Sequence, residues 1–181
     1  MNRKIRWMAE TALLLALLVV LQALTKGFGQ FVTGSCVNAV LAVAALVGGL
    51  WSGIAVALVS PALAFLLGIA PMAVTVPAIM AGNSVFVIVL WLLAGGKQAP
   101  VWKRILAWLT AAAAKFAVLY ALVVWVICGL ASAPLLEAGV LKAPMLTNLS
   151  VMFSWPQLVT ALIGGAIALA VTPVIRKALH R

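Results

Sequence analysis

The sequence predicts an all-α integral membrane protein, a bundle of six transmembrane helices with both the N-terminus and the C-terminus in the cytoplasm. Of the 181 residues, 67% are hydrophobic and 8% are charged, whereas soluble domains are about half apolar and about a quarter charged. A transmembrane helix needs about 20 apolar residues to cross a hydrocarbon core about 30 Å thick. The chain therefore suits six spans joined by short loops, with the lipid bilayer as its solvent.

Six apolar runs along the chain give the predicted helices, and they form one domain, residues 1–181. Glycine, proline and polar residues separate the runs, as at 25–34 and 48–53. Pro61 lies inside the third run, so the carbonyl that it leaves free must be satisfied by a neighbouring group or a cavity. The long outer loop at 131–150 has room for a short helix, and Pro156 suits the first turn of the last span. The predicted spans are about 8–24, 35–50, 53–67, 78–94, 105–130 and 155–175.

The positive charge of the chain indicates its orientation. The sequence contains twelve Lys and Arg residues and two acidic residues, for a formal charge of +10. In a soluble protein this charge would indicate a nucleic-acid partner. Here no nucleic-acid partner is expected, because the cations gather in segments that six spans would place on one side. By the positive-inside rule this side is the cytoplasm. Three groups carry this argument: Arg3, Lys4 and Arg6; Lys97, Lys103 and Arg104; and Arg176, Lys177 and Arg181.

The sequence disfavours an enzyme, a metal site and a bound cofactor. It has no Gly-x-x-x-x-Gly-Lys-Ser/Thr loop for a nucleotide. Its carboxylates are Glu10 and Glu137 and its histidine is His180, so no carboxylate pair or metal cluster can be built within the membrane. The two cysteines, Cys36 and Cys128, are expected as small buried residues, with a disulfide as the alternative.

A stripe of small side chains lies along the first predicted helix. Ala9, Ala12 and Ala16 are spaced by three and four residues, so they share one helix face. Helices in lipid associate through close packing rather than through a hydrophobic drive, and small residues permit the close approach. The stripe therefore predicts contact with another membrane helix, either within the bundle or on a partner.

The order of several segments resembles a known family. These segments are the Ala12-x-x-x-Ala16 stripe, the stretch "GSCVNAVLAVAALVGGLWSGIAVALVSPALAFLLG" and the opening "FSWPQLVTALIGG" of the last helix. Together with six short spans, they resemble the substrate-binding S component of an energy-coupling factor (ECF) vitamin transporter. The resemblance implies a multi-pass protein of the prokaryotic plasma membrane that binds a vitamin or related micronutrient from the outside.

The resemblance also implies partners. Transport would require a membrane T component and two cytoplasmic ATPases, which agrees with the missing nucleotide loop. The family's alanine motif contacts the T component, so the resemblance assigns this role to Ala12 and Ala16, and helical spacing extends it to Ala9. The S components differ in their pockets, so the ligand residues must be argued from polarity and depth.

Polar side chains in the outer halves of the spans are the candidate ligand contacts, because polar groups in lipid usually face a bundle interior or a cavity. Asn38 and Asn83 are favoured, since their amides offer donors and acceptors within spans. For each candidate, a helix cap, an interhelical hydrogen bond or, for the tryptophans, an interfacial aromatic belt is the alternative. The other polar candidates are Gln30, Thr33, Ser35, Asn148, Ser154 and Gln157, and the candidates for stacking on a planar ligand are Phe31, Tyr120, Trp125 and Trp155.

Lys115 is the cation that neither orientation nor a loop explains, because it lies near the middle of the fifth span. An unpaired charge at this depth costs several kcal/mol, and Glu10 is expected near the inner surface. Three interpretations remain open. Lys115 is a structural tether to Glu10 or to helix-end carbonyls, an uncharged lysine, or a cation at the floor of a pocket that meets an anionic group of the ligand.

The predicted function is micronutrient capture as an S component. The alternatives are a non-transporting scaffold protein of the cell envelope and a small secondary transporter. A secondary transporter is disfavoured, because the sequence has no carboxylate within the membrane for proton coupling and no inverted repeat.

Overall fold

The computed structural model describes residues 2–69, 72–94 and 99–179, which are largely helical and include no strand. Of the residues used above, Lys97, His180 and Arg181 lie outside the described ranges. The helices are α1 (Arg3–Thr25), α2 (Gln30–Val43), α3 (Leu50–Leu66), α4 (Val76–Ala94), α5 (Val101–Leu119), α6 (Ser132–Glu137), α7 (Ala143–Met152) and α8 (Trp155–Ala178). Two of them continue as π-helix, α2 over Ala44–Gly48 and α5 over Tyr120–Leu130.

Five helical segments among the described residues are long and apolar enough to cross a membrane: Lys4–Phe28, Gln30–Gly48, Ala73–Ala94, Val101–Leu130 and Ala143–Ala178. A further apolar helix, α3, has 17 residues and is about 26 Å long at 1.5 Å per residue, close to the thickness of the hydrocarbon core. The all-helical, membrane-spanning fold class is thereby confirmed, whereas the count of six spans and the orientation of the termini stay predictions.

The first turn between spans is tighter than the sequence indicates. The second span begins at Gln30, five residues before its predicted start, and a 3₁₀ turn at Lys26–Phe28 connects it to α1. Gly29 and Gly49 have φ angles of 84° and 90°, in the region where glycine has no Cβ penalty. These single glycines reverse the chain before α2 and α3, so no long loop is needed. The segment between the fifth and last spans carries two short helices, α6 and α7.

Small residues set the distances between the central helices. The most extensive helix contacts join α2 to α8 and α4 to α5. At Gly164 of α8, an added Cβ would lie 2.5 Å from the carbonyl oxygen of Ser35 and 2.7 Å from the amide nitrogen of Ala39 on α2. At Gly82 of α4, it would lie 2.6 Å from Leu119 of α5. Backbones can approach this closely only where one side chain is missing.

Helix α1 lies at the periphery of the bundle. Only 6% of its most apolar window is buried, against 33% or more in the other four candidate spans. Ala9, Ala12 and Ala16 are all exposed, beside apolar neighbours such as Leu13, whose exposed fraction is 70%. The stripe of small residues therefore does not pack against another described helix of this chain.

The basic residues near several helix ends mark one end of the bundle. The Nη2 atom of Arg176, near the end of α8, donates a hydrogen bond of 2.6 Å to the carbonyl oxygen of Leu46 in the π-helix after α2. Arg104, in the first turns of α5, lies close enough to Arg176 for their charges to interact. Thr11 of α1 donates to Ser52 of α3 at 2.9 Å. These contacts bring the start of α1 and α5 and the end of α8 to the same end.

The close approach of α2 and α8 gives a prediction about stability. The substitution Gly164→Ala should lower the free energy of unfolding by about 1–3 kcal/mol, because overpacking forces the backbone apart and the atoms that the new methyl group meets are mostly backbone. Thermal unfolding in detergent measures the effect. Gly27→Ala is the matched control, since an added Cβ there meets nothing within 4 Å. Equal unfolding midpoints for the two variants would show that the contact is not tight.

Candidate functional site

A cavity of about 370 Å³ lies at the end of the bundle opposite the basic residues. It is bounded by the end of α1, the start of α2, the end of α3, the start of α4, the end of α5 and the turn between α7 and α8. Ligand sites for small molecules are typically about 300–1,000 Å³ and mostly apolar, with a few convergent polar groups. The cavity fits this description, with Pro61, Ala64, Ile79, Leu119 and Phe153 among its apolar lining.

The amine group of Lys115 is the centre of a buried polar cluster that lines this cavity. Its Nζ atom donates hydrogen bonds of 2.6 Å to Oδ1 of Asn38 and 2.7 Å to Oδ1 of Asn83. The exposed fractions are 3% for Lys115 and 1% for each asparagine. The Nζ atom also lies 5.7 Å from the centroid of the Phe86 ring, within cation–π range. The three residues favoured by the sequence therefore meet at one point.

Local packing explains why Lys115, Asn38 and Asn83 meet. On α2, Asn38 is oriented by its own amide, whose Nδ2 atom donates to the carbonyl oxygen of Gly34 at 2.9 Å and approaches Oγ1 of Thr160 at 3.4 Å. Its oxygen is thereby turned toward α5. On α4, Asn83 follows Gly82, which packs against Leu119 of α5 with no room for a side chain. The two helix contacts that small residues permit thus deliver both amide oxygens to the lysine.

The structure distinguishes between the tethers considered for Lys115. Its hydrogen-bond partners are two side-chain amides, not Glu10 and not a helix-end carbonyl. Glu10 forms an ion pair of 2.9 Å with Arg6 at the other end of the bundle. Because amide oxygens solvate a charge without neutralising it, the site keeps a net positive charge when Lys115 is protonated.

A second lysine, Lys26, lies between α1 and α2 and also lines the cavity. Its Nζ atom donates a hydrogen bond of 2.6 Å to the carbonyl oxygen of Gly68, after the end of α3. The described lining contains these two lysines and no Asp, Glu, His or Cys. The ionisable side chains of the described lining are therefore basic.

Other predicted residues line the cavity, although their ligand roles stay predictions. Gln30 and Gln157 each direct Nε2 at the carbonyl oxygen of Met152, at 2.5 and 3.1 Å. Thr33 donates to the carbonyl oxygen of Thr25 at 2.9 Å. The Gln30 and Gln157 bonds hold the starts of α2 and α8 against the end of α7, and the Thr33 bond holds α2 against the end of α1. All three bonds shape the wall of the cavity.

Several predicted residues lie outside the lining of this cavity: Phe31, Ser35, Tyr120, Trp125, Asn148, Ser154 and Trp155. Ser35 is buried and donates to the carbonyl oxygen of Phe31 at 2.6 Å. Trp155 packs against Phe31 with ring centroids 5.5 Å apart, and Trp125 against Tyr120 at 6.0 Å. Both tryptophans are more than half exposed, as interfacial aromatic residues are. Cys36 and Cys128 are free and partly buried.

The cavity also contains polar residues that the sequence analysis did not select, namely Gln22, Lys26 and Ser60. Gln22 and Ser60 lie within predicted spans, so the rule that selected Asn38 and Asn83 applies to them as well. Lys26 belongs to the segment 25–34, whose glycines and polar residues predict a loop, whereas the turn at Lys26–Phe28 brings it to the cavity.

Comparison with known families agrees with this geometry. A family model described as "ECF transporter, substrate-specific component" matches residues 6–176. The matched range runs from the first turns of α1 to the last turns of α8 and includes every residue that lines the cavity. No curated protein and no solved structure was found to match the chain.

The lysine–asparagine cluster gives a second prediction. The substitution Asn83→Leu should lower the free energy of unfolding by about 1.5–3 kcal/mol, the usual contribution of a hydrogen bond to a charged group. In a Lys115→Met background, the same substitution should cost clearly less, because no ammonium remains to lose its acceptor. Chemical unfolding of the four proteins in a double-mutant cycle measures the coupling. Additive effects would contradict the pairing.

Proposed function

Because this chain belongs to the family of ECF transporter substrate-specific components, we propose that its cavity captures a vitamin or related micronutrient from outside the cell for ATP-driven uptake. Members of this family bind substrate within the membrane and are not catalysts. The observation that carries the proposal is a cavity of ligand size with a buried ammonium group at its floor.

The ligand in this proposal bears a carboxylate or another anionic acceptor that meets Lys115. An ammonium group has three N–H donors, and Asn38 and Asn83 accept two of them, which leaves the third for a ligand. No carboxylate of the described lining neutralises the charge. An anion in the cavity supplies the missing countercharge, and in a desolvated site such a hydrogen bond is stronger than between neutral groups.

The direction of capture follows from the basic residues. The cavity lies at the end of the bundle away from Arg104 and Arg176, and the positive-inside rule assigns basic ends to the cytoplasm. With α3 counted as a sixth span, both termini are cytoplasmic and the cavity faces outward. The site can then collect its ligand from the external medium.

Uptake in this proposal requires a membrane T component and two cytoplasmic ATPases, and α1 is the docking helix. Ala9, Ala12 and Ala16 are exposed on a helix that is itself peripheral, and Leu13 and Leu17 provide apolar contacts beside them. Since small residues favour helix association in lipid, this face is suited to a membrane partner.

The ligand assignment predicts a loss of affinity when the charge of Lys115 is removed. We expect mass spectrometry to find a small anionic molecule retained by the gently extracted wild-type protein. Calorimetry with that molecule should give about ten- to hundredfold weaker binding to Lys115→Gln, because hydrogen bonds to charged groups contribute about 1.5–3 kcal/mol and 1.4 kcal/mol is tenfold in affinity. Glutamine retains N–H donors for the asparagine oxygens but carries no charge.

Two results would contradict this assignment. Equal affinity of the wild-type protein and a folded Lys115→Gln variant would remove Lys115 from ligand recognition. A wild-type protein that retains no small molecule and instead co-purifies with cell-envelope proteins would favour the scaffold function.

The docking assignment predicts that bulky residues on α1 release the partners. The double substitution Ala12→Leu/Ala16→Leu should abolish co-purification of a membrane subunit and two ATPases, because leucine prevents the close approach of helices. The matched control is Ala113→Leu/Ala117→Leu, an exposed pair with the same spacing on α5. Loss of partners from the control, or their retention by the α1 variant, would overturn the assignment.

A further inference from the structure

The cavity opens to the exterior beside Lys26. Among the described residues that line the cavity, Lys26 and Gly29 are exposed, and the others are buried or partly buried. Lys26 lies directly after α1 and Gly29 directly before α2. The turn between these two helices therefore forms the mouth of the cavity, and a molecule that enters there passes Lys26.

A hydrogen bond holds the amine of Lys26 at this mouth. Its Nζ atom donates to the carbonyl oxygen of Gly68 at 2.6 Å, and the next residue, Ile69, lines the cavity. The bond keeps the ammonium group beside the opening and uses one of its three N–H donors. Because a carbonyl does not neutralise a charge and the described lining contains no Asp or Glu, the mouth carries a net positive charge.

The two lysines of the cavity differ in burial. Lys115 is 3% exposed and donates to Asn38 and Asn83, whereas Lys26 is exposed. An exposed charge at the rim of a binding surface acts mainly on the rate of association and on its salt dependence, and a buried, hydrogen-bonded charge acts mainly on the rate of dissociation. The two lysines are therefore suited to different steps of binding.

We infer that Lys26 is an entry residue, which attracts an anionic ligand to the mouth and sets its rate of association, whereas Lys115 holds the ligand inside. The inference rests on the function proposed above and adds to it a second residue with a separate role. The ligand class that gains is a small organic anion. A cation of the same size is repelled at the mouth, and a neutral molecule is not attracted.

The apolar surroundings of the mouth strengthen this effect. A cleft that is lined by charge of one sign and has walls of low dielectric constant focuses the electric field and raises the local concentration of the opposite charge. Pro61, Ala64 and Ile79 belong to the apolar walls of this cavity. The field is screened by salt, because the Debye length falls from about 30 Å at 0.01 M to about 3 Å at 1 M ionic strength.

The test measures capture and release separately. Wild type and Lys26→Gln, each in nanodiscs of zwitterionic lipid, are immobilised and exposed for increasing times to one dilution of the small-molecule fraction of yeast extract. Mass spectrometry of the retained compound gives the initial rate of capture, and transfer to buffer gives the rate of release. At about 0.01 M ionic strength, Lys26→Gln should capture the compound about three- to tenfold more slowly than wild type. At about 1 M the two capture rates should converge, and the release rates should be equal throughout.

Two further variants isolate the effect of the charge at this position. Lys26→Arg keeps the positive charge and a donor for Gly68, so it should capture the compound as fast as wild type. Lys142→Gln removes the same charge from an exposed lysine between α6 and α7 that does not line the cavity. This control should change the rate of capture little.

Four results would overturn the assignment of Lys26 while the proposed function stands. They are equal capture by Lys26→Gln and wild type at low ionic strength, a slower capture that persists at high ionic strength, a faster release, and an Arg variant as slow as the Gln variant. Equal slowing by Lys142→Gln would likewise assign the effect to the whole surface rather than to the mouth. If wild type retains no compound, the proposed function itself fails, and the role of Lys26 fails with it.

Discussion

The burial of one lysine ammonium in an apolar bundle is the constraint on which the rest of this structure depends. A charge at that depth is costly unless protein groups replace its hydration. Asn38 and Asn83 replace part of it, at 2.6 and 2.7 Å, and they come from two helices that must both approach α5. The glycines at 82 and 164 make these approaches possible. The hydrogen bonding of Lys115 and the packing of α2, α4, α5 and α8 therefore depend on each other.

The partners of Lys115 are amides rather than carboxylates, and this difference determines the net charge of the site. A carboxylate beside Lys115 would form an internal ion pair and leave the cavity neutral, so an anionic ligand would gain little there. Amide oxygens stabilise the ammonium and leave its charge in place. In the proposed function, an anionic ligand offsets the cost of keeping an uncompensated charge in the ligand-free protein.

Much of this site was predictable from the sequence, because a polar residue within an apolar run is conspicuous. Lys115, Asn38 and Asn83 are selected in this way, and the apolar runs predict the helices that carry them. Their direct contact is not predictable, since it depends on the rotation of three helices about their axes, which single glycines at helix contacts decide. The turn at Lys26–Phe28 shows a second limit of prediction from the sequence. One glycine with a positive φ reverses the chain where a polar stretch predicted a loop, and so Lys26 reaches the cavity.

Helix α1 connects the two proposed functions of the molecule. Gln22 lines the cavity near the end of this helix, and the exposed alanines Ala9, Ala12 and Ala16 lie closer to its start. A bound ligand can change the affinity for a partner only if it interacts differently with the two states of the protein. In the proposed function, a ligand in this cavity lies between the centre of the bundle and the end of α1. Because α1 is the least buried candidate span among the described residues, we expect ligand occupancy to affect the surface proposed for docking.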